Sequence, residues 1–215
     1  MSHNNRLEKD LRPARCARWS RPLSLIRYPS KSYQHKMTTT SSLNQRRVVR
    51  AVKRFCPDFR PIRHALGTLG VSFQRNCCQI DYVFLVPGNE SRRVKLRIEN
   101  EKQFVYLYDR DQPDYSPNDF QLFELNDPRI KDIIAAILPT RAVVRKEREE
   151  WQDGNAVFHL DTIEGIGRVF EIEVIRPDQG SNPGIDVYEK HLGPLLGEAI
   201  KVSNEDLLAA RTYAR

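Results

Sequence analysis

The amino-acid sequence predicts an α+β protein whose sheet is mainly antiparallel. Of the 215 residues, 40% are apolar, which is typical of soluble globular proteins. Strand-like segments outnumber helical ones, and they follow one another too closely for parallel crossovers, which need about a dozen or more connecting residues. Apolar runs extend over only a few residues, far below the ~20 that cross a bilayer. We therefore expect no membrane-spanning segment.

The positive charge of the chain is confined to its first 44 residues. The formal charge is +7, and residues 1–44 contain nine Lys and Arg against two Asp and Glu, whereas residues 45–215 contain 26 of each sign. The basic segment lacks the apolar periodicity that could offset the entropy cost of ordering it. We predict a disordered basic extension over residues 1–44 and one folded domain over residues 45–212.

Three interpretations of this extension stay open. It could be a targeting peptide rich in Arg and Ser, or an electrostatic arm for anionic partners such as nucleic acid. It could also precede the true start of the protein at Met37. The segment lacks the apolar core of a secretory signal peptide. The folded part is neutral overall, which disfavours nucleic acid as its partner.

The cysteines predict neither a zinc site nor a disulfide framework. Cys77 and Cys78 are adjacent, and no pair has the spacing of zinc ligands. Two small residues in a strand are the simplest interpretation. A reducing compartment, and hence the cytoplasm, is the predicted location.

The first half of the folded part reads as a strand, a helix and then several strands. Ile62, Leu66 and Leu69 have helical spacing, and Gly70 follows where a C-terminal cap belongs. Apolar alternation predicts strands at residues 47–52, 79–85, 93–99, 104–110 and 120–125.

The second half repeats a helix followed by strands. Asp127 as N-cap and Pro128 at the first helical position open a helix that ends at Pro139. Ser203 with Asp206 approximates a capping box for a last helix. Strands are predicted at residues 143–148, 157–161 and 169–175, and a loop-rich stretch at residues 179–196.

Charged side chains share faces on three of these strands. Residues two apart point to the same side of a strand, which pairs Lys95 with Arg97, Lys146 with Arg148, and Glu171 with Glu173. An antiparallel sheet with one wet face would show the same alternation. A closed sheet would instead gather both signs around one lumen, where cations could bind a polyphosphate and carboxylates its Mg²⁺.

These residues carry a resemblance to a known family. Residues 45 to 210 resemble the CYTH superfamily, named for class IV adenylate cyclases and thiamine triphosphatases, and look closest to the cyclase branch. The matching motifs are Gln79-x-Asp81-x-x-Phe84, Lys95-Leu96-Arg97, Tyr108-x-Arg110, Lys146-Glu147-Arg148, His159-Leu160-Asp161 and Glu164-Gly165 through Glu171-Ile172-Glu173.

The resemblance implies an antiparallel eight-stranded β-barrel, the triphosphate tunnel, with flanking helices. It also implies a triphosphate substrate and Mg²⁺ or Mn²⁺ as cofactor. By position, the catalytic cations would be Lys95, Arg97, Lys146 and Arg148. Substrate would further contact Arg50, Arg110 and His159, and metal would bind Glu171, Glu173 and Asp161, the last of which could instead orient a basic residue.

Two departures from the family pattern separate the candidate functions. Arg46, Val48 and Arg50 stand where the family has Glu-x-Glu-x-Lys, and Val157 replaces a second basic residue. The first expectation is a metal-dependent enzyme, either a lyase of the adenylate cyclase type or a triphosphatase, acting on ATP, thiamine triphosphate or tripolyphosphate. A non-catalytic polyphosphate or nucleotide binder is the alternative, and nucleic-acid binding through the extension ranks third.

Overall fold

The computed structural model describes residues 49–109, 120–125, 127, 129–175 and 185–213. Within these ranges it does not describe the side chains of residues 49, 50, 120–122, 175 and 211–213. The extension over residues 1–44, and with it the interpretations given above, lies outside the described residues.

Eight strands and four α-helices make up the described part of the chain. In chain order they are β1 (Val49–Phe55), α1 (Phe59–Thr68), β2 (Ser72–Val86), β3 (Asn89–Glu99), β4 (Lys102–Asp109), β5 (Phe120–Leu125), α2 (Ile130–Ile137), β6 (Thr140–Asp153), β7 (Ala156–Ile163), β8 (Gly167–Ile175), α3 (Ile185–Leu192) and α4 (Asn204–Tyr213). A short 3-10 turn at Gly193–Leu195 follows α3. None of the described helices is both long and apolar enough to span a bilayer.

All eight strands belong to one antiparallel sheet, with the order β1-β8-β7-β6-β2-β3-β4-β5. The predicted α+β class and eight-stranded antiparallel sheet are therefore confirmed. The two edge strands, β1 and β5, are not joined by hydrogen bonds among the described residues. The sheet is thus not a barrel closed by a continuous ladder.

The segment of residues 197–200 pairs with the edge of β1 that β5 leaves free. The Phe55 N–H donates to the Glu198 carbonyl at 3.0 Å, and the Ile200 N–H donates to the Lys53 carbonyl at 2.8 Å. Gly197 permits this approach, because a Cβ there would lie 3.3 Å from the Phe55 carbonyl oxygen. Residues 197–200 therefore satisfy the β1 edge and lead directly into α4, which explains why β5 does not pair there.

The helices agree with the sequence at α1 and differ at α2 and α3. The Asp58 side chain caps α1, and Gly70, with φ of 77°, follows its end as predicted. Asp127 accepts from the Arg129 N–H, but α2 starts only at Ile130. The loop predicted over residues 179–196 is wrong in part, because α3 forms there.

The outer face of the sheet carries the main apolar core. Phe158, Leu160, Phe170 and Ile172 alternate on β7 and β8 and are almost completely buried. They pack with apolar residues of α1 and α3, which makes α3 stable despite its Gly- and Pro-rich flanks. Because the helices cover the outer face, the polar residues at the alternating positions fall on the concave face.

A smaller apolar cluster closes one end of that concave face. Val144, Ile163 and Val169 pack there with Phe55 of β1 and with a pair of α4 side chains, Leu207 and Leu208. Arg141 of β6 donates to Asp206 at 2.8 Å and anchors the same helix. The concave face consequently has an inner end that α4 covers.

Candidate functional site

Charged side chains from six neighbouring strands line the concave face, which we call the lumen. They come from β1, β8, β7, β6, β2 and β3, which are consecutive in the sheet. The described lumen residues include Lys53, Asp81, Lys95, Arg97, Lys146, Arg148, His159, Asp161, Glu171 and Glu173. The four cations predicted to be catalytic, Lys95, Arg97, Lys146 and Arg148, thus lie on one surface with the predicted metal ligands.

Two arginines are each held by a carboxylate in a bidentate pair. Arg97 donates to both oxygens of Asp81 at 2.7 and 2.8 Å, and Arg148 donates to both oxygens of Asp161 at 2.7 and 2.6 Å. Each pair joins residues that lie opposite one another on adjacent strands. The forks fix the guanidinium planes before any ligand arrives.

Lys146 bridges the two carboxylates. Its Nζ lies 3.8 Å from Asp81 Oδ2 and 3.5 Å from Asp161 Oδ2, and its side chain is only 3% exposed. Burial and the neighbouring Arg148 lower the pKa of Lys146. Burial alone would raise the pKa of Asp161, but Arg148 and Lys146 outweigh it and lower that pKa to about 2.

Glu171 extends this series of alternating positive and negative side chains towards β1. Lys53 Nζ lies 3.2 Å from Glu171 Oε1, and Arg148 Nη2 lies 3.5 Å from Glu171 Oε2. Burial disfavours the Glu171 carboxylate, but Lys53, His159 and Arg148 together hold its pKa well below its usual range. Glu171 is therefore ionised across the physiological range.

His159, Glu171 and Glu173 form the candidate metal centre. They offer one ligand atom each, and these three atoms lie within 4.8 Å of one another. His159 Nδ1 is buried and has no hydrogen-bond partner among the described residues. Two carboxylates and an imidazole suit Mn²⁺ or another divalent ion, so the residues present fit a metal.

The contacts of His159 and Asp161 suggest roles that differ from those expected for them from the sequence. His159 was expected to contact substrate, yet it lies with the metal candidates. Asp161 was expected to bind metal or to orient a basic residue, and both its oxygens contact Arg148 or Lys146. We infer the orienting role for Asp161. The individual functional roles of these residues stay predictions.

Lys95 differs from the other lumen cations. It forms no ion pair with any described carboxylate, and its Nζ lies 4.6 Å from the ring centroid of Tyr106 and 5.5 Å from that of Tyr108. The pKa of Lys95 is lowered to about 8, mainly by burial and secondly by the positive charge of Arg97. The negative charge of a bound anionic ligand would oppose this lowering of the pKa, so ligand binding should favour the charged form of Lys95.

Several predicted site residues cannot be placed. The backbone of Arg50 belongs to β1, but its side chain lies outside the described residues, as do Arg46, Val48 and Arg110. Lys53 was not predicted, because the predicted strand ended at Val52 whereas β1 extends to Phe55. Phe55, an aromatic residue of the kind that strands favour, was the signal that the strand continues past Lys53.

No family model and no curated protein matches the amino-acid sequence. Solved structures do match the fold. The PH1012 protein of Pyrococcus horikoshii OT3 superimposes with a TM-score of 0.60 at 22% identity, over 75% of this chain and 99% of that chain.

Two further matches carry functional descriptions of their own. A proposed adenylate cyclase from Vibrio parahaemolyticus matches with a TM-score of 0.58 at 13% identity, over 77% of this chain and 99% of that chain. A proposed adenylyl cyclase from Hippeastrum, described as revealing a dominant triphosphatase activity, matches with a TM-score of 0.59 at 15% identity, over 77% and 96%. At identities this low, the three matches establish a common fold and nothing further about this chain.

Proposed function

We propose that the lumen binds a triphosphate together with a divalent metal ion and cleaves it, since the chain shares its fold with these solved structures and resembles the CYTH superfamily. The observation that carries the proposal is the unbroken series of ion pairs across the lumen. It runs from Arg97 through Asp81, Lys146, Asp161, Arg148 and Glu171 to Lys53.

The balance of charges in this series favours a ligand that carries both signs. Cations such as Lys53, Lys95, Arg97, Lys146 and Arg148 share the lumen with the carboxylates of Asp81, Asp161, Glu171 and Glu173. A bare triphosphate would meet these buried carboxylates as like charges. A metal-bound triphosphate can offer phosphate oxygens to the cations and the metal to the carboxylates, so neither sign is left buried without a partner.

The lumen residues would act by positioning and electrostatics. Arg97, Lys146 and Arg148 would contact phosphoryl oxygens and stabilise the charge that develops there during cleavage. Glu171, Glu173 and His159 would hold the metal ion, which supplies further charge neutralisation when bound. Asp81 and Asp161 would keep the two guanidinium planes oriented throughout.

Two reactions are compatible with these contacts. In hydrolysis, a water oxygen bonds to the terminal phosphorus, the bridging phosphoanhydride bond breaks, and the water proton is released. In cyclisation, the ribose 3′-hydroxyl of ATP bonds to the α-phosphorus, loses its proton and expels pyrophosphate. The same set of cations would stabilise both transition states.

We expect turnover of at least one triphosphate when the full chain is incubated with ATP, thiamine triphosphate or tripolyphosphate and Mg²⁺ or Mn²⁺. Released phosphate, pyrophosphate and cyclic AMP are the quantities to measure.

Tripolyphosphate binding is expected to be weaker at pH 9 than at pH 7. The pKa of Lys95 is lowered to about 8, so this lysine loses most of its positive charge at pH 9. Calorimetric titration at the two pH values measures the difference.

A binder without activity is the second candidate, favoured by Arg46, Val48 and Arg50 at the positions of the family's acidic first strand. It predicts salt-sensitive binding that does not require metal and no product under any condition. Absence of both binding and turnover for all three compounds would refute the two candidates together.

A further inference from the structure

The N-terminal turn of α4 is fixed firmly against the inner end of the lumen. The Ser203 hydroxyl oxygen accepts from the Asp206 N–H at 3.2 Å, and Asp206 itself accepts from Arg141 of β6. One turn further on, Leu207 and Leu208 pack into the apolar cluster that closes the lumen. The direction of each side chain in this turn is therefore set by contacts on both sides.

Glu205 is the carboxylate that this turn directs towards the lumen. It is only 6% exposed, and it accepts a hydrogen bond from the Tyr108 hydroxyl of β4 at 3.3 Å. Its negative charge helps to raise the pKa of Lys53 and opposes the lowering of the pKa of Lys95. Glu205 thus lies near cations from both sides of the curved sheet.

The same end of the lumen holds a further cation that lacks a carboxylate partner among the described side chains. Arg93 lies two residues before Lys95 on the same face of β3, and opposite Tyr108 in the strand register. Its side chain is buried, its Nη1 donates to the backbone carbonyls of Glu90 and Arg92, and its Nε has no hydrogen-bond partner in the part of the chain that is described. A buried donor without a partner is costly, which suggests that a ligand completes this end.

These groups have the chemistry of a terminal phosphate site. Glu205 accepts a hydrogen bond from the Tyr108 hydroxyl and acts electrostatically on Lys53 and Lys95. Arg93 lies opposite Tyr108 and two residues from Lys95, so it adds a further positive charge at this end. A carboxylate accepts charge-assisted hydrogen bonds from the same donors as a phosphate group does.

We propose that Glu205 occupies the place of a ligand's terminal phosphate at the inner end of the lumen, and that it competes with the ligand for Lys95 and Tyr108. This inference rests on the proposed function, since it names the subsite that the end of a triphosphate would enter. It makes α4 a determinant of affinity: the helix lowers the affinity for triphosphate by presenting a competing charge.

The test is the Glu205→Gln substitution in the full chain, with inorganic tripolyphosphate as the probe and isothermal titration calorimetry as the measurement. We expect binding to become about tenfold tighter, because one like charge close to the phosphate has been removed. Asp186→Asn is the matched control, since it removes an exposed carboxylate from the first turn of another helix, α3, which packs on the outer face of the sheet. The control should leave the affinity within about twofold of the wild type.

Other outcomes separate this inference from the proposed function. If the wild type binds tripolyphosphate and Glu205→Gln binds equally well or more weakly, with or without Mn²⁺, the inference is wrong and the proposed function stands. If only Glu205→Gln binds, the inference is supported most strongly. If neither variant nor the wild type binds, both fail. A Glu205→Ala protein with a matching melting temperature provides a second test should Glu205→Gln be poorly folded, and it should also bind more tightly.

Discussion

Replacing Arg148 by Gln is expected to weaken tripolyphosphate binding by about a hundredfold or more and to abolish turnover. Arg148 lies at the centre of the ion-pair series, where it contacts both Asp161 and Glu171. The substitution removes a bidentate phosphate donor and leaves Asp161 with Lys146 as its one ion-pair partner among the described side chains, so repulsion by the carboxylates grows. Calorimetry with tripolyphosphate and Mn²⁺ measures the first effect, and phosphate release the second.

The chain offers a matched control for this substitution on the other face of the sheet. Arg63 of α1 forms a bidentate pair with Glu149 of β6, outside the lumen. Arg63→Gln also removes an arginine from a half-buried ion pair, so it should cost stability without changing affinity. Arg148→Lys, which keeps the charge and loses the fork, should bind more weakly than the wild type. Equal affinities for Arg148→Gln and Arg63→Gln would contradict the lumen site.

Glu173→Gln is expected to abolish metal-dependent turnover, with a loss of at least about a hundredfold, and to leave the folded protein intact. Glu171 is held in ion pairs with Lys53 and Arg148, whereas Glu173 forms no ion pair with a described side chain. Neutralising Glu173 therefore removes a candidate metal ligand without breaking a structural pair. Mn²⁺ titration of phosphate release measures the effect, together with the melting temperature.

Glu147→Gln is the appropriate control for this second substitution. Glu147 lies on β6 between Lys146 and Arg148 and points to the opposite face from both, so its carboxylate is remote from the metal candidates. It should retain Mn²⁺-dependent turnover. A Glu173→Gln protein with the same Mn²⁺ dependence as the wild type would rule out the metal centre of His159, Glu171 and Glu173.

Strand periodicity was sufficient to predict that the members of three charged pairs share a face of the sheet. Lys95 with Arg97, Lys146 with Arg148 and Glu171 with Glu173 alternate with apolar residues, and alternation alone assigns each pair to one face. Which face becomes concave depends on where α1 and α3 pack, and α3 was not predicted. Its spacing of Ile185, Tyr188 and Leu192 is helical, but the helix is short and its stability comes from tertiary packing.

The features that sequence reasoning missed are those that depend on contacts between distant segments. The open edge of β1 is filled by residues 197–200, and nothing local in that segment indicates its partner. In the sequence, Glu205 is an ordinary acidic residue in the first turn of a helix, where its negative charge interacts favourably with the helix dipole. Only the docking of α4 against β6 brings it to Tyr108 and the lumen cations.

A crystal structure of the protein with tripolyphosphate and Mn²⁺ would test the proposed lumen site itself, because it locates the ligand rather than its effects. We expect phosphate oxygens within hydrogen-bonding distance of Arg97, Lys146 and Arg148, and an anomalous Mn²⁺ peak between Glu171 and Glu173. Tripolyphosphate bound only on the outer face of the sheet, with Mn²⁺ away from these two carboxylates, would contradict it.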